Sequence, residues 1–328
     1  MDATVTISLE IELAWGLAHI QDADPQDRHS KGRRRETETL ERLLGLCDDL
    51  GLPVSFDVVG HLLLDSCAGT HDGPYPPGWF DADPGTDSST DPLYYAPDLV
   101  ERVRKAEIDH EVCTHTFSHA RCDEVSEAVI DQELEHVIDL HDERDLPSVQ
   151  SFVPPVHAPP PRDVLVDHGI RTVRSPVEYR PPIAAPSHPE NALARMMQRI
   201  GRLHPVEMVS RTPSVYSPAE VDGVVETYTS WHASLSAPYL QNGTASPHLL
   251  YRTLPRSVRQ RHHRRYLLEG LQSVASNDGC IHYWSHLFNL SNDVQWPPIR
   301  SFLEALASYR DRDAVQIKTM AELGECIA

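Results

Sequence analysis

Between residues 4 and 64 the hydrophobic period runs from two to about 3.6 and back, and that succession leaves few ways to fold. VTISLEIEL alternates apolar and polar side chains, so it predicts a strand that carries Glu10 and Glu12 on one face. Leu40, Leu43, Leu44, Leu46 and Leu50 then recur at helical spacing, and Gly51 stands where a helix would be capped. The apolar run VSFDVVGHLLL, inside residues 53–64, predicts a buried strand. Strand, helix and strand in roughly 50 residues is a βαβ unit, and a βαβ unit makes a parallel sheet.

The alternation continues. Residues 65–97 are rich in Asp, Gly, Pro, Ser and Thr, with Trp79, Phe80, Tyr94 and Tyr95 interleaved. They predict a long loop that either roofs a cleft or is pinned to the body by its aromatic residues. A helix is expected over 98–106, a strand over 110–114, and an amphipathic helix over 123–144. SVQSFVPPVHAPPP predicts a strand entering a proline-rich turn, followed by a short helix near 163–167 and a strand over 171–174. Residues 175–265 are the least regular part. Their basic block RSVRQRHHRRY predicts a solvated helix. A helix over 266–276, a strand over 279–286, a helix over 299–308 and the strand AVQIKT complete the pattern.

Four predicted strand ends carry groups capable of chemistry. The first bears Glu10 and Glu12, and Trp15 follows. The second leads into HTFSH, where His115 and His119 stand four apart, a spacing that on a helical turn lets two imidazoles reach one cation. The third bears His157, and GCIHYWSH places His282 and His286 about the fourth, with Trp284 between them. Wound α/β folds collect such ends on one face, so together they define a polar, metal-capable pocket. A His/His/carboxylate set with a position left for water is a catalytic zinc pattern, and a second carboxylate can act as general base.

Composition narrows the partners. The chain has 328 residues, enough for one large domain, and acidic residues exceed basic ones by 49 to 29, giving a formal charge of −20. Such a surface repels phosphate backbones and anionic membranes, so neither nucleic acid nor membrane is expected as a partner. Its aspartate-rich, lysine-poor balance suggests salt adaptation. The six cysteines form no CxxC pair and read as reduced thiols, which fits the cytosol, and the N-terminal residues read as neither leader nor anchor.

In this order and spacing the motifs resemble those of the polysaccharide deacetylases with the NodB homology domain, carbohydrate esterase family 4. ISLEIELAWG is similar to the family's acid pair, PVSFDVVGHLL to its second strand, HTFSH with the preceding His110-Glu111 to its metal motif, and SFVPP and IHYWSHLFNL to its third and last motifs. The resemblance implies a deformed (β/α)7 barrel in one domain, residues 1–328, with an elaborated region over about 180–265. It implies one divalent cation, zinc or else cobalt, nickel or iron, held by Glu12, His115 and His119. Glu10 would be the base, and His286, or second His282, the proton donor. Trp15, His157 and Trp284 would line the substrate site. Two departures stand out: both acids are Glu where the family has Asp, and SFVPPVHAPP lacks the arginine expected to orient the base. The expected activity is hydrolysis of a non-peptide C–N bond, N-deacetylation of an acetamido sugar in a glycan or its precursor. The alternatives are an allantoinase-like amidase acting on a small amide, and a silent homologue that binds a glycan or a partner. The sequence leaves the oligomeric state open.

Overall fold

A computed structural model describes residues 2–18, 20, 23–176, 215–229, 233–237, 240–243 and 254–327. Most of the elaborated region expected over 180–265 lies outside the described residues.

The strands are β1 (Thr4–Ile11), β2 (Ser55–Val58), β3 (Glu111–Thr114), β4 (Ser151–Phe152), β5 (Thr172–Pro176), β6 (Ala219–Val221), β7 (Val224–Thr229), β8 (Cys280–His286) and β9 (Gln316–Ile317). The helices are α1 (Pro25–Arg28), α2 (Arg34–Leu50), α3 (Pro97–Arg104), α4 (Glu127–Glu143), α5 (Arg162–Asp167), α6 (Arg256–Ser276), α7 (Leu287–Leu290), α8 (Trp296–Arg310) and α9 (Met320–Glu325). The sheet order is β6-β7-β5-β4-β3-β2-β1-β8, with β9 beside β1. Along that path β7, β5, β4, β3, β2, β1 and β8 run parallel, and only β6 is antiparallel. The sheet curls until β7 meets β8: Thr227 Oγ1 lies 3.3 Å from His282 Nδ1, and Thr229 Oγ1 donates to the His282 carbonyl at 3.0 Å. Seven parallel strands bent this way make the expected deformed barrel.

Both faces of β1 are buried, for different reasons. Val5, Ile7, Leu9 and Ile11 belong to the continuous apolar core, which includes Leu40, Leu43, Leu44 and Cys47 of α2 and Phe302, Leu303 and Leu306 of α8. Thr4, Thr6, Ser8 and Glu10 are equally buried but polar, and they share the opposite face. Their partners are inside the barrel, where His282 Nε2 lies 2.9 Å from Ser8 Oγ.

The predicted strand over 53–64 is shorter than its apolar run. It ends at Val58, and Gly60–Leu63 form a 3-10 turn that is as buried as the strand. A buried turn and a buried strand have the same hydrophobicity, so the run alone did not reveal the break. A Cβ on Gly60 would lie 2.6 Å from Val137 Cγ2, which shows how closely α4 covers that turn. The basic block starts α6, as a solvated helix should. Aromatic residues pin the loop over 65–97 to the body: Trp79 Nε1 donates to Ser118 Oγ at 2.8 Å, and Phe80 and Tyr94 meet Trp15 edge-on.

Candidate metal centre and catalytic site

Strand register builds the site. Glu10 is the partner of Asp57 on β2 and of His286 on β8, so three ionisable groups share one row across adjacent strands. Val58 pairs with Thr114 and Thr114 with Phe152, which puts His115 and Val153 together one residue beyond their strands. His115 Nδ1 donates to the Val153 carbonyl at 2.7 Å. A carbonyl only accepts, so Nδ1 carries the hydrogen and Nε2 presents a lone pair.

His119 reaches the same place, though not by a helical turn. The HTFSH segment is irregular, with φ of 61° at Thr116 and 62° at His119. Its backbone is satisfied from outside. Gly60 N–H donates to the Thr116 carbonyl at 2.8 Å and His61 N–H to the Phe117 carbonyl at 2.9 Å. Buried Glu133 of α4 accepts from Ser118 N–H and Ser118 Oγ, both at 2.7 Å. These contacts take the groups a helix would pair with itself. The spacing of the two histidines was informative; the helical reason for it was wrong.

Glu12, His115 and His119 each direct one ligating atom to a common point, all within 4.8 Å of one another. His119 Nε2 stands 3.1 Å and His115 Nε2 4.0 Å from Glu12 Oε2. The donor set fits a divalent cation: His115 Nε2 is buried with no hydrogen-bond partner among the described residues, and its fixed tautomer aims the lone pair inward. Burial is the largest influence on His115 and lowers its pKa to about 4, keeping the imidazole neutral as a ligand must be. For Glu12 burial acts upward, but the charge of His286 and the hydrogen bond and charge of His119 outweigh it and bring the carboxyl down to about 2. Gly16 is necessary here. A Cβ at Gly16 would stand 2.3 Å from Glu12 Cδ, so glycine gives the longer acid room to fold over the turn Leu13–Leu17.

Glu10 is held from the other side by Arg174 of β5, which sequence reasoning missed. Its guanidinium, 1% exposed, donates to Glu10 Oε1 and to Ser8 Oγ at 2.9 Å, and lies 3.6 Å from Asp57 Oδ2. Arg174 thus pairs with Glu10 from the strand that follows SFVPPVHAPP, a segment with no arginine of its own. Arg162, which stands closer to that segment in sequence, donates to Glu226. Burial alone would raise the Glu10 pKa; Arg174 first and His286 next hold it well below the usual range. Buried Asp57 goes the other way. Burial lifts it to about 8 because Arg174 is shared with Glu10, whose own charge adds to the rise.

His286 Nε2 lies 3.0 Å from Glu10 Oε2, and its Nδ1 donates to Asn289 Oδ1 at 2.9 Å. Burial opposes its charge, but Glu10, Glu12 and these hydrogen bonds prevail and raise its pKa to about 9. That direction favours the protonated ring.

The structure does not bring every candidate here. His282 sits four residues deeper on β8 than His286, paired in register with Thr6 and engaged by Ser8 and Thr227, away from the metal cluster. Trp15 must be corrected: it is wholly buried, donates to the Tyr94 carbonyl at 3.2 Å and packs on His61, so it is core rather than a substrate surface. The apolar turn after β1 drives it inward. Trp284, 1% exposed, is likewise a floor, with Arg174 over its ring and His157 and His286 beside it. Half-buried His157 does come near the site: burial and the Arg174 charge lower its pKa to about 3.

No protein-family model and no curated protein matches the chain. Solved structures do. A structure assigned as a polysaccharide deacetylase, from Mycobacterium smegmatis, superposes with a TM-score of 0.63 at 14% identity over 99% of this chain and 89% of the other. This is the NodB-type fold of the polysaccharide deacetylases. A second structure so assigned, from Pseudomonas aeruginosa PAO1, gives 0.56 at 9% identity, covering 98% and 89% of the two chains. The allantoinase PuuE gives 0.58 at 9% identity with the same coverage. At these identities the likeness is one of fold, so the chemistry rests on the side chains above. No helix among the described residues is long and apolar enough to cross a membrane.

Proposed function

We propose that the chain, with residues 1–328 acting as one catalytic unit, is a metal-dependent hydrolase of non-peptide C–N bonds and removes the acetyl group from an acetamido sugar. One observation carries the reading: a buried carboxylate, a two-histidine, one-carboxylate donor set and a histidine paired with that carboxylate meet at the mouth of one barrel, with Glu10 Oε2 4.0 Å from His115 and 3.0 Å from His286. Glu12, His115 and His119 would hold the cation. A divalent cation in such a set supplies Lewis acidity, lowering the pKa of a water and polarising a carbonyl.

The remaining work belongs to the chain. Glu10, kept ionised by Arg174, accepts the proton of the attacking water on Oε2 while Oε1 stays engaged. His286, paired through Nε2 with Glu10, delivers a proton from that nitrogen to the departing amine nitrogen. Environment has set two opposite roles on adjacent strands. In this reading half-buried His157, its ring 5.1 Å from Trp284, would meet the sugar.

The test is acetate release from N-acetylated hexosamine oligomers, with allantoin and small cyclic amides assayed in parallel. We expect metal-dependent release that falls by at least 1000-fold in Glu10→Gln, on the order expected for loss of a general base together with its charge. Turnover of the cyclic amide alone would assign the amidase reading instead. Turnover undiminished in Glu10→Gln would refute the mechanism.

A further inference from the structure

A second group of ligating atoms lies outside the barrel mouth, in the loop that joins β2 to α3. His61 comes from the 3-10 turn after β2, and Cys67, His71 and Asp83 come from the loop itself, in the spacing His-x5-Cys-x3-His-x11-Asp. One ligating atom from each lies within 4.8 Å of all the others. His61 Nε2 is 2.9 Å from Asp83 Oδ2, 3.2 Å from His71 Nε2 and 3.7 Å from Cys67 Sγ. His71 Nε2 and Cys67 Sγ lie 3.1 and 3.0 Å from the same Asp83 oxygen. Tetrahedral zinc, with bonds of about 2.0–2.3 Å, places neighbouring donors roughly 3.3–3.6 Å apart, close to this arrangement.

The hydrogen bonding turns the ligating atoms of these groups toward one another. His61 Nδ1 lies 3.2 Å from the Tyr94 carbonyl, so that nitrogen carries the hydrogen and Nε2 of the neutral ring is a lone pair. It faces a carboxylate oxygen, a second imidazole nitrogen and a sulfur, with the His61 and Asp83 side chains fully buried. The Cys67 thiol donates to that carboxylate oxygen when no cation is bound; once deprotonated, the sulfur, both imidazole nitrogens and the carboxylate oxygen can serve one divalent cation together.

The surroundings are built to hold the ligands. Asp83 Oδ1 accepts from the Tyr95 hydroxyl and from Gly85 N–H at 3.0 Å, while Cys67 Sγ accepts from Gly69 N–H at 3.3 Å. Such outer bonds fix ligand orientation at metal sites. Gly69 and Gly85, with φ of 74° and 60°, let two loop strands cross where a Cβ on Gly69 would stand 3.3 Å from Gly85 Cα. That crossing is what sets Cys67 beside Asp83.

We propose that His61, Cys67, His71 and Asp83 bind a structural zinc ion, separate from the cation at the barrel mouth. All four positions are filled by protein, the mark of a structural rather than a catalytic site. The ion fastens a long loop with little regular structure to the barrel wall. Its effect reaches the catalytic side, because the His61 ring packs on Trp15 at 4.3 Å and on Phe117 of HTFSH at 5.3 Å.

Sulfur separates the two sites. Cobalt(II) bound at a thiolate gives a sulfur-to-cobalt charge-transfer absorption in the near ultraviolet, which the nitrogen and oxygen donors at the barrel mouth cannot give. We expect that band in wild-type protein loaded with cobalt(II), its retention in His115→Ala with His119→Ala, and its loss in Cys67→Ser. Elemental analysis of zinc-loaded protein should show one equivalent fewer in Cys67→Ser with His71→Ala than in wild type. If the mouth binds no metal, the band persists and only total stoichiometry drops, so the two failures are distinguishable. A wild-type cobalt protein without the band, or full zinc content in the Cys67→Ser, His71→Ala variant, overturns the proposal. The wild-type spectrum requires no substitution, so misfolding of a variant cannot conceal that result.

Discussion

Gly16→Ala should weaken binding of the barrel-mouth cation without unfolding the protein. The new Cβ would lie 2.3, 2.5 and 2.7 Å from Glu12 Cδ, Oε1 and Oε2, where contacts under 3.0 Å are essentially never seen. The carboxyl group must therefore retreat by about 0.7 Å at the least, and by about 1.1 Å to reach ordinary contact. A carboxylate ligand sits about 2.0–2.2 Å from zinc, so a displacement of that size pulls Glu12 off its best position and weakens the bond. The expected loss of affinity is on the order of 100-fold, at the upper end of what outer-shell changes cost and short of deleting a ligand. Gly16 is not in the left-handed region, so alanine fits its backbone and the thermal midpoint should change little. The assay is competition for zinc against a chromophoric chelator, run beside circular dichroism. Wild-type affinity in a folded Gly16→Ala protein would refute the reasoning, because Glu12 would then not be a ligand in the position described.

Arg174→Gln should move the acid limb of the kcat/KM profile upward by about 1–3 pH units, since an opposite charge at this range depresses a carboxylate by that much. Glu10 is depressed in the folded state, so it contributes stability above its unfolded pKa that disappears as pH falls; the variant should lack that contribution and lose about 3–5 kcal/mol in urea unfolding at neutral pH. An acid limb that stays in place would show that Arg174 does not control Glu10. Asp57 has the opposite sign: its folded pKa of about 8 lies above the unfolded value, so wild type should lose stability relative to Asp57→Asn as pH rises from about 4 to 8, by up to about 1.4 kcal/mol per unit, and then level off. Parallel pH dependences for the two proteins would contradict this. Glu133→Ala leaves Ser118 N–H and Oγ without their acceptor and should cost about 2–4 kcal/mol, with weaker zinc binding through a loosened HTFSH turn; unchanged zinc affinity would show that the turn holds itself.

The parallel strands were legible because period and burial are local properties of a chain. VTISLEIEL announces its two faces, and the α2 and α4 stripes announce helices that cover a sheet. HTFSH and the strand ends at Glu10 and His286 were legible for a related reason: each carries its chemistry on adjacent residues. Trp15 was misread because an aromatic residue near a site looks the same in sequence whether it points to solvent or to the core. Only its contacts with His61 and Tyr94 decide.

What the sequence determined by itself is the order of strands and helices and the identity of the groups offered at the strand ends. What the tertiary structure decided is which groups meet. Arg174 reaches Glu10 across 164 residues because β5 curls round the barrel interior to face β1. Gly16 is required only once Glu12 folds back over it. His61, Cys67, His71 and Asp83 become one cluster only where Gly69 and Gly85 let the loop cross itself. Pairings between distant residues depend on the path of the backbone through space, and hydrophobic periodicity fixes the elements of that path without fixing its closure.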